Sequence, residues 1–269
     1  MDLTTINTSG LVLLGCGKMG SALLEGWLAQ GIKAQAVHVI DPNPSDWLLA
    51  QGVHVNAALP AAPALVLIAV KPQMMGDALP RLQGFGAETV YLSIAAGTPI
   101  VAFEAAFGPS ARIIRSMPNT PAAIGMGITA IVGNAQTRDR DLDLAEALLR
   151  AVGEVVRLND EEEIDAVTGV SGSGPAYVFH LIETMAAAGV AQGLSADLAM
   201  KLAKATVAGA GQLAMQAEDA PAQLRINVTS PNGTTQAALE VLMDEDRGFP
   251  KLVGEAVAAA TNRGKELRG

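Results

Sequence analysis

The first 160 residues alternate short apolar runs with amphipathic segments. Several runs are apolar at consecutive positions, which is typical of strands buried on both faces of a parallel sheet. Between them, apolar residues recur every three or four positions, as in Ser21–Ala29 and Asp139–Ala151, and this period predicts helices. The alternation predicts a doubly wound α/β sheet. Eight strands are predicted, over Leu11–Leu14, Ala36–Ile40, Val53–Val55, Ala64–Val70, Thr89–Ile94, Arg112–Ser116, Thr129–Val132 and Glu154–Leu158.

The pattern changes after about residue 160, where only helical periods remain. They cover Glu161–Gln192, Ser195–Met215, Asn232–Met243 and Phe249–Leu267. We therefore predict two domains, an α/β domain over residues 1–160 and an all-helical domain over residues 161–269. A helical domain this small and this rich in alanine and glycine leaves apolar surface uncovered. We expect it to complete its core by dimerisation.

Composition narrows the classes of function. Half of the 269 residues are hydrophobic and 17% are charged, so a sizeable core can form. The net charge of −9 and an aromatic content of 3% argue against nucleic-acid binding. The longest apolar run, Ala64–Val70, is far too short to span a membrane. We expect neither a nucleic acid nor a membrane as a partner.

The cysteine and histidine residues indicate which cellular compartment and which metal sites to expect. Cys16 is the one cysteine, which excludes a disulfide within the chain and fits a reducing compartment. The segment Met1–Gly10 is polar and lacks a signal-peptide pattern, so we expect a cytoplasmic location. His38, His54 and His180 have no metal-ligand spacing, so no metal site is expected.

The strongest local motif is Gly15–Gly20 (Gly-Cys-Gly-Lys-Met-Gly), which follows the first strand and opens a helix. In a dinucleotide-binding turn, the first glycine permits a sharp turn and the second lets a pyrophosphate approach the backbone. The third glycine lets the helix pack against the strand. The pyrophosphate then lies at the positive end of the helix dipole. The motif predicts a Rossmann-type domain that binds NADPH or NADH.

Further candidates lie at the carboxyl ends of strands, where doubly wound sheets bind ligands. Asp41 has two interpretations: it binds the ribose hydroxyls of NAD and repels the 2′-phosphate of NADP, or it starts the turn Asp-Pro-Asn-Pro. Asn56 is a candidate for the adenosine ribose. Lys71, within Val70–Pro72, either lies near the nicotinamide or is an ordinary surface lysine. The small residues of Ala95–Gly97 leave room for a nicotinamide ring.

A second candidate site is the polar stretch Arg225–Thr235, which joins two predicted helices and is rich in threonine, serine and asparagine. Ser230 before Pro231 predicts a helix start. Such a start offers free backbone N–H groups, here from Asn232 onward, and can bind a small anion such as a carboxylate. An ordinary capped turn explains the same residues.

Four segments of the chain resemble the Δ1-pyrroline-5-carboxylate reductase family, whose members catalyse the last step of proline biosynthesis. They are Ala69–Pro72, Met117–Pro121, Ile164–Tyr177 and Pro221–Leu239, and they occur in the family's order. The resemblance implies a dinucleotide-binding domain followed by a helical domain that intertwines with a partner as a homodimer. Dimers of this family often assemble into larger rings such as decamers.

The resemblance, together with the motifs, assigns candidate roles. The catalytic candidates are Thr235 and Lys71. The cofactor candidates are Gly15, Cys16, Gly17, Lys18, Met19, Gly20, Asp41, Asn56, Val70, Lys71, Pro72, Ala96 and Asn227. The substrate candidates are Glu161, Ser230, Gly233, Thr234 and Thr235. Members usually prefer NADPH, whereas Asp41 is expected to repel the 2′-phosphate of that cofactor. The choice between NADPH and NADH therefore stays open. Asn232 stands where the family commonly has glycine, and it fits that position if it adopts a helical conformation, as the predicted helix over Asn232–Met243 would require.

The implied reaction reduces a cyclic imine that bears a carboxylate, giving L-proline. Hydride passes from C4 of the nicotinamide to the imine carbon, and the protein supplies orientation and electrostatics. We expect Gly233–Thr235 to hold the carboxylate, Thr235 to donate or relay a proton, and Glu161 to fix the ring. Two alternatives remain: a hydroxyacid dehydrogenase or other imine reductase of the same two-domain plan, and a catalytically silent nucleotide-binding protein that acts through oligomerisation.

Overall fold

The computed structural model describes residues 4–268. Residues 1–3 and 269 lie outside the described residues, so the expectations for Met1–Gly10 and for the end of the predicted helical domain fall partly beyond them. The described chain forms two compact units. One contains the described residues of Met1–Gly172 and Ala260–Gly269, and the other is Ser173–Ala259. The domain division predicted after residue 160 stays a prediction.

The first unit is built on one eight-stranded sheet with the order β3-β2-β1-β4-β5-β6-β7-β8. Strands β1 to β6 are parallel, β7 is antiparallel to β6, and β8 is parallel to β7. All eight predicted strands are present. Their bounds are Leu11–Leu14 (β1), Val37–Ile40 (β2), His54–Val55 (β3), Leu65–Ile68 (β4), Val90–Ser93 (β5), Arg112–Met117 (β6), Gly127–Gly133 (β7) and Gly153–Arg157 (β8).

The last two strands run against the first six. Only the short turn Thr120–Ile124 and its flanking residues join β6 to β7. A parallel pairing needs a crossover of roughly a dozen or more residues, so this connection returns the chain antiparallel. Strand β8 then lies at the edge of the sheet, where Val156 is 41% exposed.

Helices cover both faces of this sheet. Residues alternate along each strand, so Leu11 and Leu13 enter one apolar cluster while Val12 and Leu14 enter the other. The predicted doubly wound fold is therefore confirmed. The helices of this unit are Thr4–Ser9 (α1), Lys18–Ala29 (α2), Asp46–Leu49 (α3), Met75–Ala78 (α4), Ile100–Phe107 (α5), Asp139–Leu149 (α6) and Glu163–Val167 (α7), with 3-10 turns at Ala34–Ala36, Pro72–Met74, Leu79–Leu82, Thr120–Ile124 and Arg150–Val152 and a π-helical segment at Thr168–Gly172.

The second unit is helical and has a small core. Its buried apolar cluster, among the described residues, consists of Ala186, Ala199 and Ala203. Larger apolar side chains stay exposed: Phe179 is 59% and Met215 is 69% exposed. This unit therefore leaves much of its apolar surface uncovered. The remaining helices are Gly174–Ala191 (α8), Ala196–Gln216 (α9), Pro221–Asn227 (α10), Thr234–Leu242 (α11) and Phe249–Leu267 (α12). The part of α12 from Ala260 onward belongs to the first unit.

None of the helices formed by residues 4–268 combines the length and the apolar character needed to cross a membrane.

We expect Trp27→Phe to lower the free energy of unfolding by about 1–3 kcal/mol. Trp27 on α2 is fully buried, and its Nε1 donates to the Leu148 carbonyl oxygen on α6 at 2.9 Å. Phenylalanine cannot donate, so the carbonyl near the end of α6 loses its side-chain donor and keeps only the Arg150 N–H. Denaturant unfolding measures the change, with Trp47→Phe as the control, because Trp47 is 37% exposed. Equal changes for the two variants would contradict the expectation.

Candidate active site

The turn between β1 and α2 has the geometry that a dinucleotide requires. Gly15 has φ +88°, and a Cβ there would lie 2.9 Å from the Ala69 carbonyl oxygen. A Cβ on Gly17 would meet nothing within 4 Å, so the space beside this backbone is open. A Cβ on Gly20 would lie 2.5 Å from the Gly15 carbonyl oxygen, so only glycine lets α2 approach the turn. The three glycines thus have the three properties of the fingerprint.

The start of α2 is available to an anion. Gly17 is the N-cap residue and offers no side-chain cap to the first N–H groups of the helix. Within the described chain, the N–H groups of Lys18, Met19 and Gly20 have no backbone acceptor. Unpaired N–H groups and the positive end of the helix dipole together suit a pyrophosphate. The residues present therefore fit the cofactor that the sequence predicts.

Asp41 follows β2, and its carboxylate lies against the glycine turn. Oδ2 accepts from the Cys16 N–H at 2.7 Å, and Oδ1 accepts from the Asn43 N–H at 2.8 Å. Asn56 has φ +51° and brackets the Asp41 backbone, with Nδ2 donating to its carbonyl oxygen and Oδ1 accepting from its N–H. The carboxylate both begins the Asp-Pro-Asn turn and places a negative charge beside the glycine turn, so the two interpretations are compatible.

Cys16 is held as a thiol. Burial first, and the Asp41 carboxylate second, raise the pKa of Cys16 to about 11. The thiolate is the reactive form of cysteine, so this side chain is a poor nucleophile at neutral pH.

The other predicted cofactor residues of this unit lie along the same edge of the sheet. Strand order reverses between β1 and β4, and ligands bind outside the carboxyl ends of strands at such a point. Val70, just after β4, packs so close to the turn that a Cβ on Gly15 would lie 2.9 Å from its Cγ1. Lys71 and Pro72 are exposed and begin the 3-10 turn Pro72–Met74, and Ala96 is exposed just after β5.

Glu161 lies in the sheet-containing unit, where one of its oxygens is already engaged. Oε1 accepts from the Ile100 N–H at 2.9 Å and from Arg115 Nη1 at 2.6 Å. The Glu161 side chain is 24% exposed, whereas that of Arg115 is 2% exposed. Arg115 is not among the residues predicted from the sequence. An arginine inside the apolar run of β6 is nonetheless a usable signal, because a buried cation needs an anionic partner.

The polar stretch differs from the expectation. Ser230–Gly233 is a β-turn closed by the Gly233 N–H on the Ser230 carbonyl oxygen at 3.0 Å. Pro231 is its second residue, and Asn232, with φ +58°, is its third, an arrangement typical of a type II turn. Helix α11 begins at Thr234 with Gly233 as its N-cap. The predicted helix start at Pro231 and a helical Asn232 are therefore wrong, because asparagine tolerates the left-handed conformation that this turn requires.

The start of α11 nevertheless retains free donors. The Asn232 N–H is bound by Gln236 Oε1 at 2.7 Å, so the free N–H groups begin at Thr234. Among the described residues, the N–H and hydroxyl groups of Thr234 and Thr235 have no partner. These donors suit a carboxylate.

Asn227 ends α10, a helix that the periodicity did not predict. Its amide donates to Asp219 Oδ2 at 3.2 Å and accepts from Gln223 Nε2 at 2.8 Å. The side chain is thus held by its own helical unit.

Comparison with known proteins matches nearly the whole chain. Residues 161–267 match the family described as pyrroline-5-carboxylate reductase dimerisation. Residues 10–97 match the family described as NADP oxidoreductase, coenzyme F420-dependent. The pyrroline-5-carboxylate reductase of Pseudomonas aeruginosa is 40% identical over 97% of this chain and 98% of that protein.

Solved structures agree. A pyrroline-5-carboxylate reductase from Coxiella burnetii aligns with a TM-score of 0.90 and 32% identity, over 97% of this chain and 99% of that one. The Plasmodium falciparum pyrroline carboxylate reductase with NADP bound aligns with a TM-score of 0.83 and 28% identity, over 98% of this chain and 99% of that one. This chain therefore belongs to the pyrroline-5-carboxylate reductase family.

Proposed function

We propose that this chain reduces Δ1-pyrroline-5-carboxylate to L-proline with NADPH or NADH. The observation that carries the proposal is the 40% identity to a pyrroline-5-carboxylate reductase over nearly the full length of both chains. The glycine turn, whose three glycines each have the required geometry, supports it. The test is to supply the cyclic imine with each cofactor and to measure cofactor oxidation and proline formation. Absence of proline would contradict the proposal, and turnover of a 2-oxoacid instead would favour the hydroxyacid dehydrogenase.

The cofactor positions divide along the sheet edge. The Gly15–Gly20 turn binds the pyrophosphate through the first N–H groups of α2, and Asp41 and Asn56 lie where the adenosine ribose binds. Val70–Pro72 and Ala96 form the nicotinamide end. When bound, the reduced nicotinamide supplies the hydride that saturates the imine carbon. Asn227 is kept as a cofactor position only because the sequence around it resembles that of the family.

The substrate positions bind and protonate the ring. The N–H groups of Thr234 and Thr235 bind the carboxylate, beside Ser230 and Gly233. The Thr235 hydroxyl donates or relays the proton that the ring nitrogen gains as the adjacent carbon accepts hydride. Glu161 orients the ring through Oε2, since its Oε1 is occupied. Lys71 is the second catalytic candidate, because it places a positive charge at the nicotinamide end.

The helical unit is proposed to form a homodimer. Its own buried cluster is only three alanines, so its exposed apolar side chains supply the surface for a partner. The description of the matched family names dimerisation. Assembly of dimers into a decamer, as the resemblance implies, is part of the proposal.

We expect Phe179→Asp to reduce the assembled mass seen in sedimentation, because it places a charge on the surface proposed to be covered by the partner. Wild type should sediment as two chains or a multiple of two. Val101→Asp is the control, since Val101 is 64% exposed on α5 of the other unit. A monomeric wild type, or equal dissociation by both variants, would contradict the homodimer.

Asp41→Asn should raise the ratio of kcat/KM with NADPH to kcat/KM with NADH by about tenfold or more. The substitution removes one negative charge near the ribose, and two charges about 4 Å apart interact by ~1–4 kcal/mol near a protein surface. Steady-state kinetics with both cofactors measure the ratio, with the exposed Asp46→Asn as a control. An unchanged ratio would place the carboxylate away from the 2′-phosphate.

Thr235→Ala should lower kcat roughly 10²–10⁴-fold, the usual contribution of a proton-transfer group. Thr235→Ser keeps the hydroxyl and should retain most of the activity. The two variants are compared at saturating imine and cofactor. If kcat of the alanine variant stays within about twofold of wild type, Thr235 is not the proton donor.

A further inference from the structure

Arg115 is a buried cation, and a contribution to the stability of the fold does not explain its burial. Its side chain on β6 is 2% exposed, and its Nε has no hydrogen-bond partner. Burying a charged group is costly even when it is paired, and a buried N–H without an acceptor adds to that cost. The position of its partners suggests what the arginine does.

Arg115 holds one end of the segment that follows β5. Its Nη1 donates to Glu161 Oε1 at 2.6 Å, and the same oxygen accepts from the Ile100 N–H at 2.9 Å. Ile100 is the first residue of α5 and comes directly after Ala95–Pro99. The Glu161 carboxylate thus links strand β6 to the start of α5, where this segment ends.

The neighbouring residue on β6 holds the other end of that segment. Ser116 Oγ donates to the Ser93 carbonyl oxygen at 2.8 Å, and Ser93 Oγ accepts from the Ala95 N–H at 3.2 Å. Ser93 and Arg115 are also register partners between β5 and β6. Two consecutive residues of β6 therefore fix both ends of Ala95–Pro99.

The segment itself has little with which to define its own shape. It reads Ala-Ala-Gly-Thr-Pro, and Gly97 has φ +76°. Apart from the burial of Ala95 and the approach of Leu267 to Gly97, its conformation depends on the groups that anchor its backbone. We infer that Arg115 is a positioning residue, which through Glu161 fixes Ala95–Pro99 in the shape that receives the nicotinamide ring. The inference rests on the assignment of this segment to the nicotinamide end in the proposed function.

Strand β6 also provides a matched control. Arg112 is 4% exposed and pairs with Glu88 and with the buried Asp141, at the opposite end of the strand. Arg112→Met and Arg115→Met each remove a buried cation from the same strand and leave carboxylates without it. A loss of cofactor affinity that is caused only by removing a buried cation should appear in both variants.

The experiment compares binding of the whole cofactor with binding of its adenosine half. Titration calorimetry measures the Kd of NADH and NADPH, and of ADP-ribose and 2′-phospho-ADP-ribose, which lack the nicotinamide. Arg115→Met should bind the whole cofactor about tenfold more weakly and the fragment as wild type does. Arg112→Met should bind both as wild type does. Arg115→Lys should recover part of the affinity.

The inference is overturned if Arg115→Met leaves the Kd of the whole cofactor unchanged, or if it weakens cofactor and fragment equally. It is also overturned if both arginine variants weaken the cofactor equally. If Arg115→Met does not fold, Glu161→Gln replaces it and should weaken the whole cofactor only. The double variant should lose no more than either single variant, because the arginine acts through Glu161. This experiment measures cofactor binding and not turnover. A failure to reduce the imine would therefore overturn the proposed function and leave the binding result intact. A wild type that binds neither cofactor would overturn both.

Discussion

The nucleotide edge of the sheet depends on how closely α2 approaches the end of β1. A side chain at Gly20 would collide with the Gly15 carbonyl oxygen, and one at Gly15 would collide with the strand-end residue Ala69. Because both positions are glycine, the free N–H groups of α2 lie at the point where strand order reverses. Asp41 and Val70 then contact the turn from the two neighbouring strands. This close packing brings the predicted cofactor residues of the sheet-containing unit to one edge.

The two units differ in how they are stabilised. The sheet has apolar clusters on both faces, with side chains as large as Trp27 and Phe103 fully buried. The helical unit buries three alanines and exposes its larger apolar residues. Glu161 is bonded through Arg115 to strand β6 of the sheet. The donors at the start of α11, which are proposed to bind the substrate carboxylate, belong to the unit with the small core.

The sequence was sufficient for those parts of the fold that have a local signal. Eight short apolar runs predicted eight strands, and the spacing of the glycines predicted the dinucleotide turn. The direction of β7 was not predictable from its composition, because it depends on the length of the connection from β6. The helix start near Pro231 was misplaced since Pro-Asn-Gly favours a turn as well as a helix start. Arg115 was missed because its meaning lies in contacts with Glu161 and, beyond it, Ile100, which are distant in the sequence.

The burial of the Cys16 thiol beside Asp41 has a consequence for chemical damage. Oxidants and electrophiles attack the thiolate, and the raised pKa of Cys16 leaves very little thiolate at neutral pH. The chain has one cysteine, and it lies inside the nucleotide turn. Burial of Cys16, with the Asp41 carboxylate as the smaller contribution, therefore makes this turn less reactive toward oxidants.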